Sequence, residues 1–329
     1  MRLALAYNVK HDKPVSELAS DEALDFDSWE VISGLKKTLQ ELGHVVSMVE
    51  ADLGAFEKLR GLAGKVDMVF NIAEGLGGDA REAQVPLFCE MLSIPYTHSG
   101  PTTHALKLNK KLAKLAVAGL GVRVPETVTD WDGEMPVIVK PNKQGSSIGI
   151  FNGNVVWKGG DLERVVKETS HGGKWEVVVE EYIAGREFTV SLLGEGPVVL
   201  PIIEQKFDFL PEGMNPIAGF EAKWIYEENL DDISVAYSCP ADVSPEFQRE
   251  VGETSIKIFQ GLNVRDCARI DYRLSEKGSL YFLEINTLPG LNPNPKAPSY
   301  FVYSAYKAGM SYIELIGKIL ESAVERWER

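Results

Sequence analysis

Short apolar runs and helical stretches alternate along the first hundred residues. "LALAY", "VVSMV" and "VDMVFN" read as strands, while a helix is expected from about Ser28 to Leu42 with Ser28 as its cap, and another through "EAQVPLFCEML". This alternation predicts a small parallel α/β layer whose strand-end loops form a binding edge. "SGPTTHALKLNKKLAKLAVAGLG" reads as a turn and one helix ending at Gly119 or Gly121. "MPVIVKP" then reads as a strand, "NKQGSSIGI" as a glycine- and serine-rich loop, Asp161 to Thr169 as a short helix, and "IFNGNVVW" and "WEVVVEEYI" as strands. From "REFTVSLLG" onward, β-rich segments, a helix from Pro245 to Gln260, the pair "CARIDYRL" and "LYFLEIN", and a last helix from Ser311 to Trp327 complete the pattern. Three units are expected, at residues 1–104, 105–186 and 187–329, in an α/β (α+β) chain with no internal repeat.

One strand ends oddly. In "YFLEINTLPG", Glu284 and Asn286 lie two residues apart, as same-face neighbours on a strand do, before Pro289 and Gly290 break the run. Either Asn286 opens a turn and Glu284 finds a salt bridge, or the two oxygens hold a hard cation such as Mg²⁺.

Composition narrows the choice. The chain of 329 residues carries a formal net charge of -14, which argues against a general nucleic-acid or anionic-membrane surface. The apolar start "LALA" is too short for a signal-peptide core, and no run reaches membrane-spanning length. Three scattered cysteines, Cys89, Cys239 and Cys267, fit reduced packing residues. A cytoplasmic protein with no membrane or nucleic-acid partner is expected.

Two motif matches fail on context. "GLGGDA" at Gly75 to Ala80 follows the third strand rather than the first and has no acid about twenty residues on, so a dinucleotide fold is not supported. "GSSIG" would make Ser147 a hydrolase nucleophile, yet strand-like text follows it, and His171 is the only downstream histidine. The loop makes better sense as a phosphate cradle: Gly145 and Gly149 allow close backbone approach, Ser146 and Ser147 add hydroxyls, and Lys140 supplies a point charge. No P-loop motif is present.

In order and spacing, "VIVKPNKQGSSIGI", "VEEYIAGREFTV", "RIDYRL" and "YFLEINTLPGL" resemble the D-alanine–D-alanine ligase branch of the ATP-grasp superfamily, and "LSIPYTHSGPTTHALKLNK" is similar to that family's link between its first two domains. The resemblance implies a three-domain ATP-grasp fold with nucleotide between the central and C-terminal domains. It implies an ATP-dependent carboxylate–amine ligase working through an acylphosphate and releasing ADP and phosphate. Lys110 and Lys140 would meet ATP phosphates beside Ser146 and Ser147. Glu180, Glu181, Tyr182 and the backbone near Ile183 would surround adenine, and Glu187 would bind the ribose. Asp271, Glu284 and Asn286 would hold Mg²⁺, with Mn²⁺ as an alternative. Arg269 and the Gly290 N–H would stabilise the oxyanion, with Ser146 and Lys223 completing the catalytic set. Small-molecule carboxylate and amine substrates, amino acids foremost, and a homodimer also follow from the resemblance.

Departures cluster where the family binds its amino acids. "NVKHDKPVSELASDEALDFDS" lacks the family's glycine pair and leaves Glu22, Asp25 and Asp27 as alternatives for holding an ammonium. Lys223 is followed by Trp224 instead of tyrosine, and "LNPNPKAPSY", with Lys296 as a candidate carboxylate contact, replaces a serine-containing segment. "FNIAEGLGGDAREAQ" departs from "GxxGEDG". D-alanyl-D-alanine synthesis is therefore one outcome rather than the default, a ligase for other amino acids or for a non-amino-acid carboxylate is the alternative, and D-alanine alone is expected to be a poor substrate. A catalytically silent nucleotide-binding protein is the alternative of another class.

Overall fold

The computed structural model describes residues 1–10, 26–230, 232–294 and 299–328. Its first layer is a parallel sheet in the order β2-β1-β3, formed by β1 (Arg2–Tyr7), β2 (Val45–Glu50) and β3 (Met68–Asn71). Alternate β1 residues serve opposite faces, as a period of two requires. Leu3 and Leu5 pack on helix α1 (Trp29–Glu41), whereas Ala4 and Ala6 face α2 (Ala55–Leu62) and α3 (Gln84–Leu92). Ser28 caps α1 by accepting from the Val31 N–H at 3.3 Å, as expected from the sequence.

The stretch after residue 100 is two helices, not the expected one: α4 (Pro101–Leu108) and α5 (Lys110–Gly119). Asn109 is extended between them, and its side-chain oxygen caps α5 by accepting from the Leu112 N–H at 3.0 Å. Asn142 Nδ2 donates to the same oxygen at 3.0 Å, tying the break to the next layer.

That layer is an antiparallel sheet in the order β5-β4-β6, made from β4 (Val137–Pro141), β5 (Val155–Val156) and β6 (Val177–Glu181). Helix α6 (Leu162–Thr169) packs Val165 against Val137, Val139 and Val156. The expected strand through "IFNGNVVW" is mostly a 3-10 turn, Asn152–Asn154, because Asn154 turns its amide inward onto the Val139 and Gly149 carbonyls at 2.7 and 2.9 Å.

The third sheet runs β10-β9-β7-β11-β12: β7 (Gly185–Leu193), β9 (Ile203–Gln205), β10 (Tyr237–Ser238), β11 (Cys267–Ser275) and β12 (Leu280–Asn286), with the short β8 (Val198–Val199) beside β7. Helix α7 (Pro245–Gly261), capped by Ser244, buries Val251, Ile258 and Phe259 against one face. The C-terminal helices α8 (Tyr300–Lys307) and α9 (Tyr312–Glu328) return to the first layer, where Phe301, Val302, Leu315 and Ile319 join Leu3, Leu5 and Phe70 in one core. Among the described residues no helix is long and apolar enough to cross a membrane.

Candidate active site

The face of the large sheet opposite α7 is polar. On β11, Ala268, Ile270 and Tyr272 enter the core, so Arg269, Asp271 and Arg273 fall on the other side, opposite Ser191, Thr189 and Glu187 of β7. Strand β12 reaches the same face through an irregularity. Asp271 pairs with Glu284 but Tyr272 pairs with Phe282, which leaves Leu283 without a partner in the register. The extra residue is a β-bulge that re-aims the strand end. Phe282 and Ile285 thereby share the core, while Glu284 and Asn286 stand across from Asp271 and Arg269.

These polar side chains hold one another. Arg269 donates to Asp271 through Nε at 3.2 Å and an NH₂ at 2.8 Å, and the Thr189 hydroxyl donates to Asp271 at 2.7 Å. Burial pushes the Glu284 carboxyl up, but Lys110, Lys223, Arg269 and Lys140 together outweigh it and hold the pKa at about 2. Two carboxylates and a carboxamide on one rigid face, with Glu284 kept ionised, suit the oxygen-donor chemistry of Mg²⁺. Among the described residues there is no group of three or more His, Cys, Asp or Glu that could hold a metal ion, so the carboxamide is integral to such a set.

Two cavities meet at this face. The wider, about 410 Å³, is lined by Arg269, Asn286, Gly290, Ser146, Lys107 and Asp27 among others. The narrower, about 70 Å³, is walled by Lys140, Ser147, Glu181, Tyr182, Ile183 and Glu187. Lys110, Lys223 and Glu284 line both and so mark their junction.

The glycine and serine loop spans the same boundary. Ser146 and Ser147 have φ of 45° and 60°, and Ser147 is pinned by donating to the Ala218 carbonyl at 2.6 Å. Gly149 has φ of 72°, and a Cβ there would lie 2.7 Å from a Pro141 side-chain carbon, so the turn requires glycine. The indole N–H of Trp224 donates to the Ser146 carbonyl at 3.0 Å, clasping the loop through its backbone. Lys110 opens α5 and donates to the Gln144 carbonyl, lying 3.8 Å from Glu284.

The expected site residues thus come together, with different immediate partners for some. The Glu180 side chain does not face the narrow cavity: it has no exposed surface, pairs with Lys114 and accepts from Lys140 at 3.1 Å. Burial raises its carboxyl, but Lys114 and Lys140 bring it to about 2. Glu187 lies 3.4 Å from Arg273, and burial keeps its pKa above the ordinary value despite that cation. Glu22, Asp25 and Lys296 lie outside the described residues, whereas Asp27 lines the wider cavity, where burial pushes its carboxyl up to about 7.

Several lining groups were missed. Arg273 could have been found by extending the same-face rule two residues beyond Asp271. Lys107 pairs with Glu82 and lies 3.5 Å from the Asn286 oxygen, but only the unforeseen break at Asn109 orients α4 for this. Ser299 returns to Gly290, its hydroxyl accepting from the Asn292 N–H at 3.0 Å, so a serine does follow the metal-facing segment, at a longer spacing. Tyr300 and Glu227 had no periodic signal to place them.

Comparisons with known proteins bear on this arrangement. Residues 123–321 match the model of the family described as D-ala D-ala ligase C-terminus. An uncharacterized protein, y4sG of Sinorhizobium fredii, is 35% identical over 88% of this chain and 86% of its own length. A D-alanine–D-alanine ligase of Aquifex aeolicus is 30% identical over 86% of this chain and 91% of its own. Among solved structures, a D-alanine–D-alanine ligase from Bacillus anthracis complexed with ATP superposes with a TM-score of 0.71 at 21% identity, covering 99% of this chain and 98% of that one. The VanG D-Ala:D-Ser ligase from Enterococcus faecalis gives 0.70 at 18%, covering 98% and 99%.

Proposed function

This chain belongs to the D-alanine–D-alanine ligase family and is an ATP-grasp, ATP-dependent ligase, and from that premise we propose that it joins two amino acids through an acylphosphate, with a pair other than two D-alanines as its best substrates. The observation that carries the reading is the junction of the two cavities at Lys110, Lys223 and Glu284. A nucleotide base and ribose would lie along Tyr182, Ile183 and Glu187, with the phosphates directed toward the junction.

Asp271, Glu284 and Asn286 are the residues that would hold Mg²⁺, or Mn²⁺ in its place, and the ion supplies charge neutralisation at the phosphates. Lys140, fixed by Glu180, and Lys110, fixed by the loop carbonyl, add positive charge along the phosphate chain. The donor carboxylate attacks the γ-phosphorus from the wider cavity, with its ammonium beside Asp27, where a cation would relieve the cost of a buried carboxylate. Arg269 and the Gly290 N–H then face the oxyanion that forms when the amine attacks the acyl carbon. Lys223 lies at the junction and serves both steps.

Altered amino-acid pockets support different substrates. The wider cavity carries the Glu82–Lys107 pair and the bulk of Trp224, and a mismatch of buried polar contacts costs on the order of 10⁴-fold in kcat/KM. The test is phosphate release with ATP and Mg²⁺ across amino acids supplied singly and in pairs. D-alanine alone should be far slower than the best pair. Saturable D-alanyl-D-alanine synthesis unmatched by any other pair would overturn the substrate proposal and leave the ligase reading standing.

A further inference from the structure

Amide formation needs a base that the ligase chemistry so far has not supplied. An amino-acid acceptor arrives as an ammonium ion and cannot attack until it loses a proton. Among the described residues, five acids line the wider cavity: Asp27, Glu74, Glu82, Glu227 and Glu284. Glu284 belongs to the cation-facing set, and Glu82 is committed to Lys107, with Lys107 and His104 overriding burial to hold it at about 2. Asp27 and Glu74 reach the cavity from the connections of the first layer, as Phe26 and Ile72 do. Glu227 reaches it from the segment between β9 and β10, which also supplies Trp224, Leu230 and Ile233, beside Tyr300 at the start of α8.

Tyr300 sets the position of Glu227. Its hydroxyl donates to Glu227 Oε2 at 3.3 Å and accepts from the Tyr237 hydroxyl at 3.1 Å, which fixes its direction. The Arg269 guanidinium lies over the Tyr300 ring, 5.2 Å from its centroid, and the Lys223 ammonium 5.9 Å from it. One tyrosine side chain therefore joins Arg269 to the Glu227 carboxylate.

Building on the ligase reading, we propose that Glu227 is the catalytic group that receives the acceptor's ammonium and accepts its proton, with Tyr300 as the residue that positions it. Glu227 takes one proton from the ammonium, and the freed amine attacks the acyl carbon. A C–N bond forms, and the C–O bond to phosphate breaks with its electron pair. The departing phosphate takes the second N–H proton, and Glu227 returns its own to solvent.

Hydroxylamine separates this role from a structural one. It is uncharged at neutral pH, needs no base, and traps an acylphosphate as a hydroxamate. Wild-type, Glu227→Gln and Tyr300→Phe enzymes are supplied with ATP, Mg²⁺ and a donor, D-alanine or the donor found in the amino-acid panel. Each then receives either hydroxylamine or the α-amino acid acceptor. Glu227→Gln should depress the ratio of amide to hydroxamate about 10²-fold or more. Tyr300→Phe, which keeps the ring under Arg269, should shift the ratio the same way by less. A parallel fall of both products, or no fall in amide formation, would make Glu227 only a partner of Tyr300 and overturn the assignment. A wild-type enzyme that yields neither product with any donor would overturn the ligase reading and this assignment together.

Discussion

Glu180 shows how one buried carboxylate arranges two cations. Lys114 and Lys140 reach it from α5 and β4, so removing its charge leaves one buried and one partly buried ammonium group short of a counter-charge. Breaking such a pair costs about 3–5 kcal/mol, and Glu180→Gln should destabilise the protein on that scale while weakening ATP binding through a displaced Lys140. The pH dependence has a definite sign. The folded carboxyl titrates at about 2 against an ordinary 4.5, so its stabilisation is complete above pH 4.5 and is lost as pH falls toward 2. Urea unfolding between those limits should show a shallower loss in Glu180→Gln than in wild type, although Glu82, Glu284 and Asp67, also held at about 2, keep part of the slope. Equal slopes would show that Glu180 does not carry this linkage. At the cation-facing pair, Glu284→Gln should preserve the fold and weaken Mg²⁺ activation on the order of 100-fold. Wild-type turnover at low Mg²⁺ in that variant would place the metal elsewhere. Such groups were legible because a strand's period of two assigns faces. Glu227 and Tyr300 were not, since no repeating period runs through the irregular backbone that carries Glu227 or through the turn into α8.

Elements add what single residues cannot. The sequence pairs Glu284 with Asn286 on one face, yet by the same rule Phe282 should join them; the bulge at Leu283 resolves the conflict, and no sequence signal marks it. The break at Asn109 was hidden likewise. The stretch around it carries no Pro or Gly to stop a helix, and only Asn142, distant in sequence, makes the extended Asn109 worthwhile by donating to the cap and accepting from the Lys111 N–H at 3.0 Å. Strands β1 to β4, β6, β7, β11 and β12 and helices α1, α7 and α9 were readable from local pattern alone, whereas the breaks depend on tertiary partners. Asn109→Ala should remove the α5 cap at a cost of about 1 kcal/mol. Because Lys110 is the next residue, the KM for ATP should rise by more than a stability loss of that size explains. Unchanged ATP affinity, with the expected fall in stability, would show that the loop carbonyl at Gln144 alone fixes Lys110.

Across the whole molecule, the first layer and the catalytic sheet must keep register, since the wider cavity draws walls from both. Asp266, with no exposed surface at the start of β11, is one device for this. It accepts from the His98 N–H at 2.7 Å, from Ser322 at 3.0 Å and from Arg326 at 2.9 Å, and Arg326 also donates to the Tyr96 carbonyl at 2.9 Å. One carboxylate thus binds the loop after β3, the last helix and the sheet that carries Arg269. His98 itself lines the wider cavity, so strain at Asp266 reaches the substrate wall directly. Arg326→Met strips the cation from a buried carboxylate and should destabilise the protein by about 3–5 kcal/mol. ATP at 100 times its dissociation constant should restore about 2.7 kcal/mol by mass action, because the nucleotide cavity is built from other residues. Calorimetry with and without ATP measures the loss and the rescue, and kinetics on the surviving fold should show a raised KM for the donor with the KM for ATP little altered. A donor KM equal to wild type would mean that the lock sustains the fold without shaping the cavity, and that the register between the two layers is held by the apolar core of Phe301, Leu315 and Ile319 instead.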